Sequence, residues 1–173
     1  MKRILLLIIV FMAVLCSNAQ IRDTFFGFKL GITTKAQVLA KFKSQGEIYK
    51  YDSENKFYFV ENVSFAGEKW DSCSFEFYKD TLDMVGFSNI SADKNSICKI
   101  YERNLNNVRI KYNSVEEDTL SDDSNKKHYS YDDGRTIMSI CYEQLNDLQY
   151  HTSIIYQSRL QIVKRKYDYM DDL

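Results

Sequence analysis

Hydrophobic and polar residues alternate most cleanly between Trp70 and Asn89. Cys73, Phe75 and Phe77 interleave with Ser74, Glu76 and Tyr78. A period of two puts the first three on one face of a strand and the others on the opposite face. Lys79-Asp80 is short and polar, so the chain reverses there into a second strand. A two-residue loop sets Phe77 opposite Leu82 and Phe75 opposite Met84, which leaves Val85 and Phe87 on the wrong side. Either the second face is covered as well, or a bulge near Asp83, one extra residue that flips the parity, restores a single apolar face; the bulge is the preferred reading.

Two helical patterns flank this hairpin. The first starts at Thr34, whose hydroxyl can accept from the first turn while Gln37, three residues on, reaches back. Val38, Leu39 and Phe42 form its apolar stripe, and Gly46 is placed to end it. In the second, Ile97, Tyr101, Leu105, Val108 and Tyr112 recur at spacings of three and four. Before the first helix, Phe25, Phe26, Phe28 and Leu30 suggest an extended lead-in that packs aromatics beneath it. A strand is expected from Lys56, and a turn at Ala66-Gly67-Glu68 leads into the Trp70 strand.

Further on, residues 113–126 hold five acids among Ser and Asn and read as a mobile acidic loop. Lys127–Tyr131, Thr136–Tyr142 and Leu148–Gln157 are three more strands. Asp132-Asp-Gly-Arg is a hairpin turn in which Gly134 supplies a positive φ. Pairing across it sets Ser130 opposite Ile137 and His128 opposite Ser139. Tyr129, Tyr131, Met138, Ile140 and Tyr142 then share the buried face with Tyr150, Thr152, Ile154 and Tyr156. Residues 159–173 form a tail that extends the last strand and frays.

A helix followed by strands thus occurs twice, over about residues 34–89 and 93–157. The simplest α+β solution is one antiparallel sheet of about six or seven strands packed on two helices, as two helix-plus-meander repeats. Phe75, Phe77, Ile140 and Ile154 should turn toward the helices.

Composition adds a compartment. Lys2 and Arg3 precede an apolar run from Ile4 to Leu15, then Cys-Ser-Asn-Ala. This is the pattern of a secretory signal peptide, residues 1–19, cut after Ala19. Cys16 invites a rival reading as a lipoprotein anchor, but Leu15 stands where that signal wants a small residue. Residues 20–173 form a single α+β domain with no second long apolar run, hence no transmembrane segment. The expected location is periplasmic or secreted. Two of the 23 Lys and Arg residues lie in the leader, so 21 basic face 24 acidic side chains, a formal −3. That balance gives no electrostatic reason to bind nucleic acid or an anionic membrane. Cys73, Cys98 and Cys141 could make one bridge in an oxidising compartment, though the preferred reading is three small buried hydrophobes.

The chemistry-bearing candidates are few. The register above brings His128 and His151 beside Ser139 on the face away from the core. Two imidazoles fall short of the three or four ligands of a zinc site, and no nucleophile elbow accompanies the serine. No metal or cofactor is expected, and two solvated strand histidines are the preferred reading. Tyr78 shares the outer face of its strand with Glu76, and exposed tyrosines favour interfaces. Asp118-Thr119-Leu120 is similar to the O-glycosylation pattern of some gut bacteria, which makes Thr119 a candidate modification site. Paired carboxylates leave a glycosidase open.

The segment Phe26-Gly-Phe-Lys-Leu-Gly-Ile-Thr-Thr-Lys-Ala-Gln-Val-Leu-Ala-Lys-Phe resembles the opening of several small bacterial envelope domains. On it the chain is similar to the beta-lactamase-inhibitor-protein-like and small outer-membrane-lipoprotein group. That resemblance implies a non-enzymatic protein that binds other proteins or stabilises envelope assemblies, and it carries over no functional residue. The expectation is an exported interaction module of the bacterial cell envelope that contacts a protein, or else a glycan. The alternatives are a periplasmic hydrolase with a carboxylate-based site and an envelope structural domain.

Overall fold

The computed structural model describes residues 20–171. The expected leader, its cut after Ala19 and Cys16 lie outside the described residues, as do residues 172–173. The lead-in aromatics form a two-stranded ribbon, β1 (Thr24–Phe25) and β2 (Phe28–Lys29), that buries Phe25 and Phe28. Helix α1 (Lys35–Gln45) starts with the expected reciprocal cap between Thr34 and Gln37 and ends at Gly46, which is left-handed at φ 70°.

Four strands follow, β3 (Tyr49–Asp52), β4 (Phe57–Phe65), β5 (Glu68–Tyr78) and β6 (Thr81–Ser91). Helix α2 (Lys94–Lys111) is capped by Asp93, which accepts from the Asn95 amide. Four more strands come next, β7 (Glu117–Asp122), β8 (Lys126–Asp132), β9 (Thr136–Asn146) and β10 (Gln149–Ser158). The chain closes with α3 (Arg159–Asp171).

All eight later strands join one antiparallel sheet in the order β3-β4-β5-β6-β10-β9-β8-β7. Strands begin at residues 49, 57, 68 and 81 in the first half and at 117, 126, 136 and 149 in the second, a displacement of 68 or 69 each time. Each half is therefore a helix followed by a four-strand meander. The two meanders meet through their last strands, at Gly86 opposite Ile155 and Phe87 opposite Ile154.

Both main helices and the ribbon lie on one face. Phe42 of α1 packs edge-on against Phe75, with ring centroids 5.1 Å apart, and Tyr101 of α2 meets Tyr142 at 5.8 Å. Phe25 reaches Phe87 and Tyr156 over the central strands. Phe75, Ile140 and Ile154 are buried as expected, and Phe77 packs partly buried against the same core. The expected buried face of β8, β9 and β10 holds, with Tyr150 at its margin.

The Asp83 bulge is present: Phe77 pairs with Leu82 and Glu76 with Met84, so Asp83 is the extra residue and Phe75 pairs with Val85. Four expectations need correction. Among the described residues the sheet has eight strands rather than six or seven, and there are three helices rather than two. The acidic stretch 113–126 contains β7, which pairs with β8 through its backbone. An edge strand does not need an apolar face, so its Glu and Asp side chains hid it.

The tail is helix α3, not an extension of β10. The β8–β9 turn is also wider than two residues. Asp133 Oδ1 accepts from the amides of Arg135 and Thr136, and the last pair is Asp132 with Ile137. This moves the pairing by two residues: Ser130 faces Ser139 and His128 faces Cys141. A shift of two keeps every side chain on its face, which is why the core reading survived.

Candidate functional site: the open face of the sheet

With both main helices on one side, α3 is the helix among the described residues that returns over the opposite face of the sheet. The registers place two rows of side chains straight across this face. One row runs Glu61, Ser72, Ser88, Ser153, Cys141, His128 and Ser121 over seven strands. The next runs Phe59, Ser74, Gly86, Ile155, Ser139, Ser130 and Asp118. Strands lie about 4.8 Å apart, so each row is roughly 29 Å long.

The middle of both rows is small, hydroxyl-rich and uncharged at neutral pH. Ser72 and Ser88 share a hydrogen bond of 2.8 Å, and Gly86 is so close to Ser74 that a Cβ there would stand 2.8 Å from the Ser74 hydroxyl. Charges gather at the margins. Lys50 pairs with Glu61 at 2.7 Å at one end, and Lys126 pairs with Glu143 at 3.1 Å near the other.

The histidines do not converge on Ser139, contrary to the expected register. His128 lies opposite Cys141, His151 lies opposite Glu143, and Ser139 sits between Ser130 and Ile155. Burial, with Lys126 adding to it, holds the His128 imidazole below its ordinary pKa, and burial does the same to His151. Both are neutral at pH 7, and His128 Nε2 is buried with no partner among the described residues. Burial pushes the Cys141 thiol up to about 11, which makes it a poor nucleophile. Among the described residues no group of three His, Cys, Asp or Glu side chains is placed to hold a metal ion. Cys73, Cys98 and Cys141 are all unpaired thiols.

Tyr78 is on the open face, as its parity requires, but it is not free. Its hydroxyl donates to Asp168 of α3, and Arg165 lies over its ring, 4.9 Å from the centroid. The Asp168 carboxylate raises the tyrosine pKa, while Lys79 and Tyr78 hold that carboxylate below its usual range. The bulge turns Asp83 into full burial, where one oxygen meets Arg165 and Gln157 and the other has no partner among the described residues. Desolvation raises its pKa, only partly offset by Arg165. Glu76 accepts from Arg165 at 3.0 Å. Thr119 is exposed on β7, opposite Tyr129.

The serine rows and the α3 latch were not anticipated. Each serine is visible as the polar member of an alternating strand, but only the cross-strand register aligns them. The latch joins residues 82 and 90 positions apart, Asp83 with Arg165 and Tyr78 with Asp168, which no local pattern connects. No protein-family model matches this chain, and no curated protein or solved structure matches it either.

Proposed function

We propose that the chain is a non-enzymatic, exported interaction module of the bacterial cell envelope that grips a protein partner with the open face of its sheet. One observation carries this reading: the middle strands of two adjacent rows present Ser, Gly, Cys and Ile, with His128 and Phe59 further out and charges only at the margins. A strand face built to stay in water carries long charged side chains. An interface core is instead depleted in charge and rimmed by polar residues. Short hydroxyl side chains also let a partner approach the sheet closely while each offers a donor and two lone pairs. Two helix-plus-meander halves with the helices on one side are the arrangement implied by the resemblance to beta-lactamase-inhibitor-protein-like domains, and they support the reading.

The test is site-specific photocrosslinking during native export. A benzophenone amino acid in place of Ser88, at the middle of the face, should yield a discrete protein adduct. The same group in place of Lys99, on the exposed side of α2, should not. No adduct from Ser88, or equal adducts from both positions, refutes the proposal.

A further inference from the structure

Helix α3 is amphipathic in the reverse of the usual sense. Its inner side is polar: Gln161 is buried, Arg165 reaches Glu76 and Asp83, and Asp168 takes Tyr78 and Lys79. Its outer side carries Leu160, Val163, Tyr167 and Met170, which are 40–64% exposed, while Ile162, half-buried, and Tyr169, exposed, lie off this stripe. Those positions are spaced three and four apart, and at about 100° per residue they fall within an arc of roughly 80°. A globular helix normally turns such a stripe inward, so an outward one marks a surface meant to be covered.

The stripe also runs into a recess. A cavity of about 410 Å³ opens between the β2–α1 turn, the β8–β9 turn and the start of α3, with Leu30, Ile32, Leu160 and Val163 in its lining. Arg135 and Arg159 line it too. Ile32 is exposed beside it.

The charges say what would cover it. Lys164 lies on one flank of the stripe and Lys166 on the other, each about 80° from its centre, and both are exposed. The Lys164 charge helps to hold the neighbouring Asp168 carboxylate below its usual range, but that carboxylate is itself bonded to Lys79 and Tyr78. Of the helix's acids, Asp168 is turned to Tyr78 and Lys79, and Asp171 is its last residue. A second copy packed stripe to stripe would bring lysine against lysine on both flanks, whether the helices ran parallel or antiparallel. A flat bilayer would leave the recess unfilled, whereas a side chain can enter it.

We propose that α3 and this recess dock an acidic amphipathic peptide segment of a protein partner. Its apolar side chains lie along Leu160, Val163, Tyr167 and Met170, one of them fills the recess, and its carboxylates pair with Lys164 and Lys166. The proposal stands on the outward stripe and the flanking lysines, and does not rest on the reading of the open sheet face.

Two probe peptides test it, each with leucines at i, i+3, i+4 and i+7, one flanked by glutamates and the other by lysines. They are titrated into the isotope-labelled protein, and amide shifts are followed by NMR. The glutamate peptide should shift the amides of residues 32, 160, 163, 167 and 170, and the lysine peptide should not. Lys164→Glu with Lys166→Glu should weaken the glutamate peptide at least tenfold and admit the lysine peptide. Leu160→Ser with Val163→Ser should weaken the glutamate peptide tenfold with the charges intact. The proposal is overturned if both peptides act alike, if millimolar glutamate peptide shifts nothing, or if its shifts fall on the sheet. Shifts of the α3 amides by phosphatidylglycerol vesicles in preference to peptide, or by raising the concentration of protein alone, would assign the stripe to a membrane or to a second copy and overturn it as well.

Discussion

Phe87 and Ser88 are adjacent on β6 and should differ sharply in what their removal costs. Phe87 is fully buried, stacks on Phe65 with ring centroids 4.0 Å apart, and touches Phe25 and Trp70. Truncating it to alanine empties most of a ring volume at the centre of the sheet, where neighbouring strands on both sides prevent collapse. Such a change costs about 3–5 kcal/mol. In a domain of this size each kcal/mol lowers Tm by about 2–4 °C, so a drop of roughly 10 °C is expected. Ser88 points to the open face, and among the described residues its hydroxyl bonds to Ser72 alone. Ser88→Ala should therefore cost about 0.5–1.5 kcal/mol, one hydrogen bond whose surviving partner can still reach water. Urea unfolding followed by tryptophan fluorescence measures both, because Trp70 is buried beside Phe87. An unchanged m-value would assign the difference to the folded state. If Ser88→Ala destabilised as much as Phe87→Ala, the second face would be a packed core and the open-face assignment would fail.

Three other perturbations probe separate parts of the molecule. Arg165→Ala strips the buried Asp83 carboxylate of its cation. Losing one partner of a buried pair costs about 3–5 kcal/mol, and the half-exposed guanidinium reduces this to roughly 1–3 kcal/mol. Hydrogen exchange of the α3 amides should then speed up by about tenfold or more, and Asp83→Asn in the same chain should restore protection; equal exchange in both variants would refute the latch. The histidines give an acid limit: folded His128 and His151 resist protonation, while the unfolded chain takes up protons near pH 6.5. Stability should be full above that value and decline as pH falls toward the lower folded pKa values, and His128→Gln with His151→Gln should flatten the decline in urea midpoints between pH 7.5 and 5. Gly31 holds φ +73°, and a Cβ there would stand 2.7 Å from Ser158 Oγ. Gly31→Ala should cost about 1–3 kcal/mol through left-handed strain and the clash, and Ser158→Ala should recover the clash alone, as read by the shift in Tm.

Local periodicity determined a good deal of this protein without help. Alternation in Cys73, Phe75 and Phe77, and in Met138, Ile140 and Tyr142, settled which side chains enter the core. A side-chain period of two survives a register error of two, as happened at the β8–β9 turn. The conflict of parity in the β5–β6 hairpin pointed to a bulge near Asp83 or a covered second face, and the observed pairing is the bulge. The cap of α1 is a contact over three residues and was legible for the same reason.

Tertiary structure decided the rest. Strand β7 satisfies its backbone against β8 and needs no apolar face of its own. Helix α3 is held by Arg165 meeting the carboxylate that the bulge buries, a contact 82 residues apart, so the local pattern read the segment as an extension of the last strand. The serine rows exist only once the two meanders join through β6 and β10. Alternation says which side of a strand a residue takes; which strands lie next to each other is set by pairings scores of residues apart, and the open face is made of those pairings.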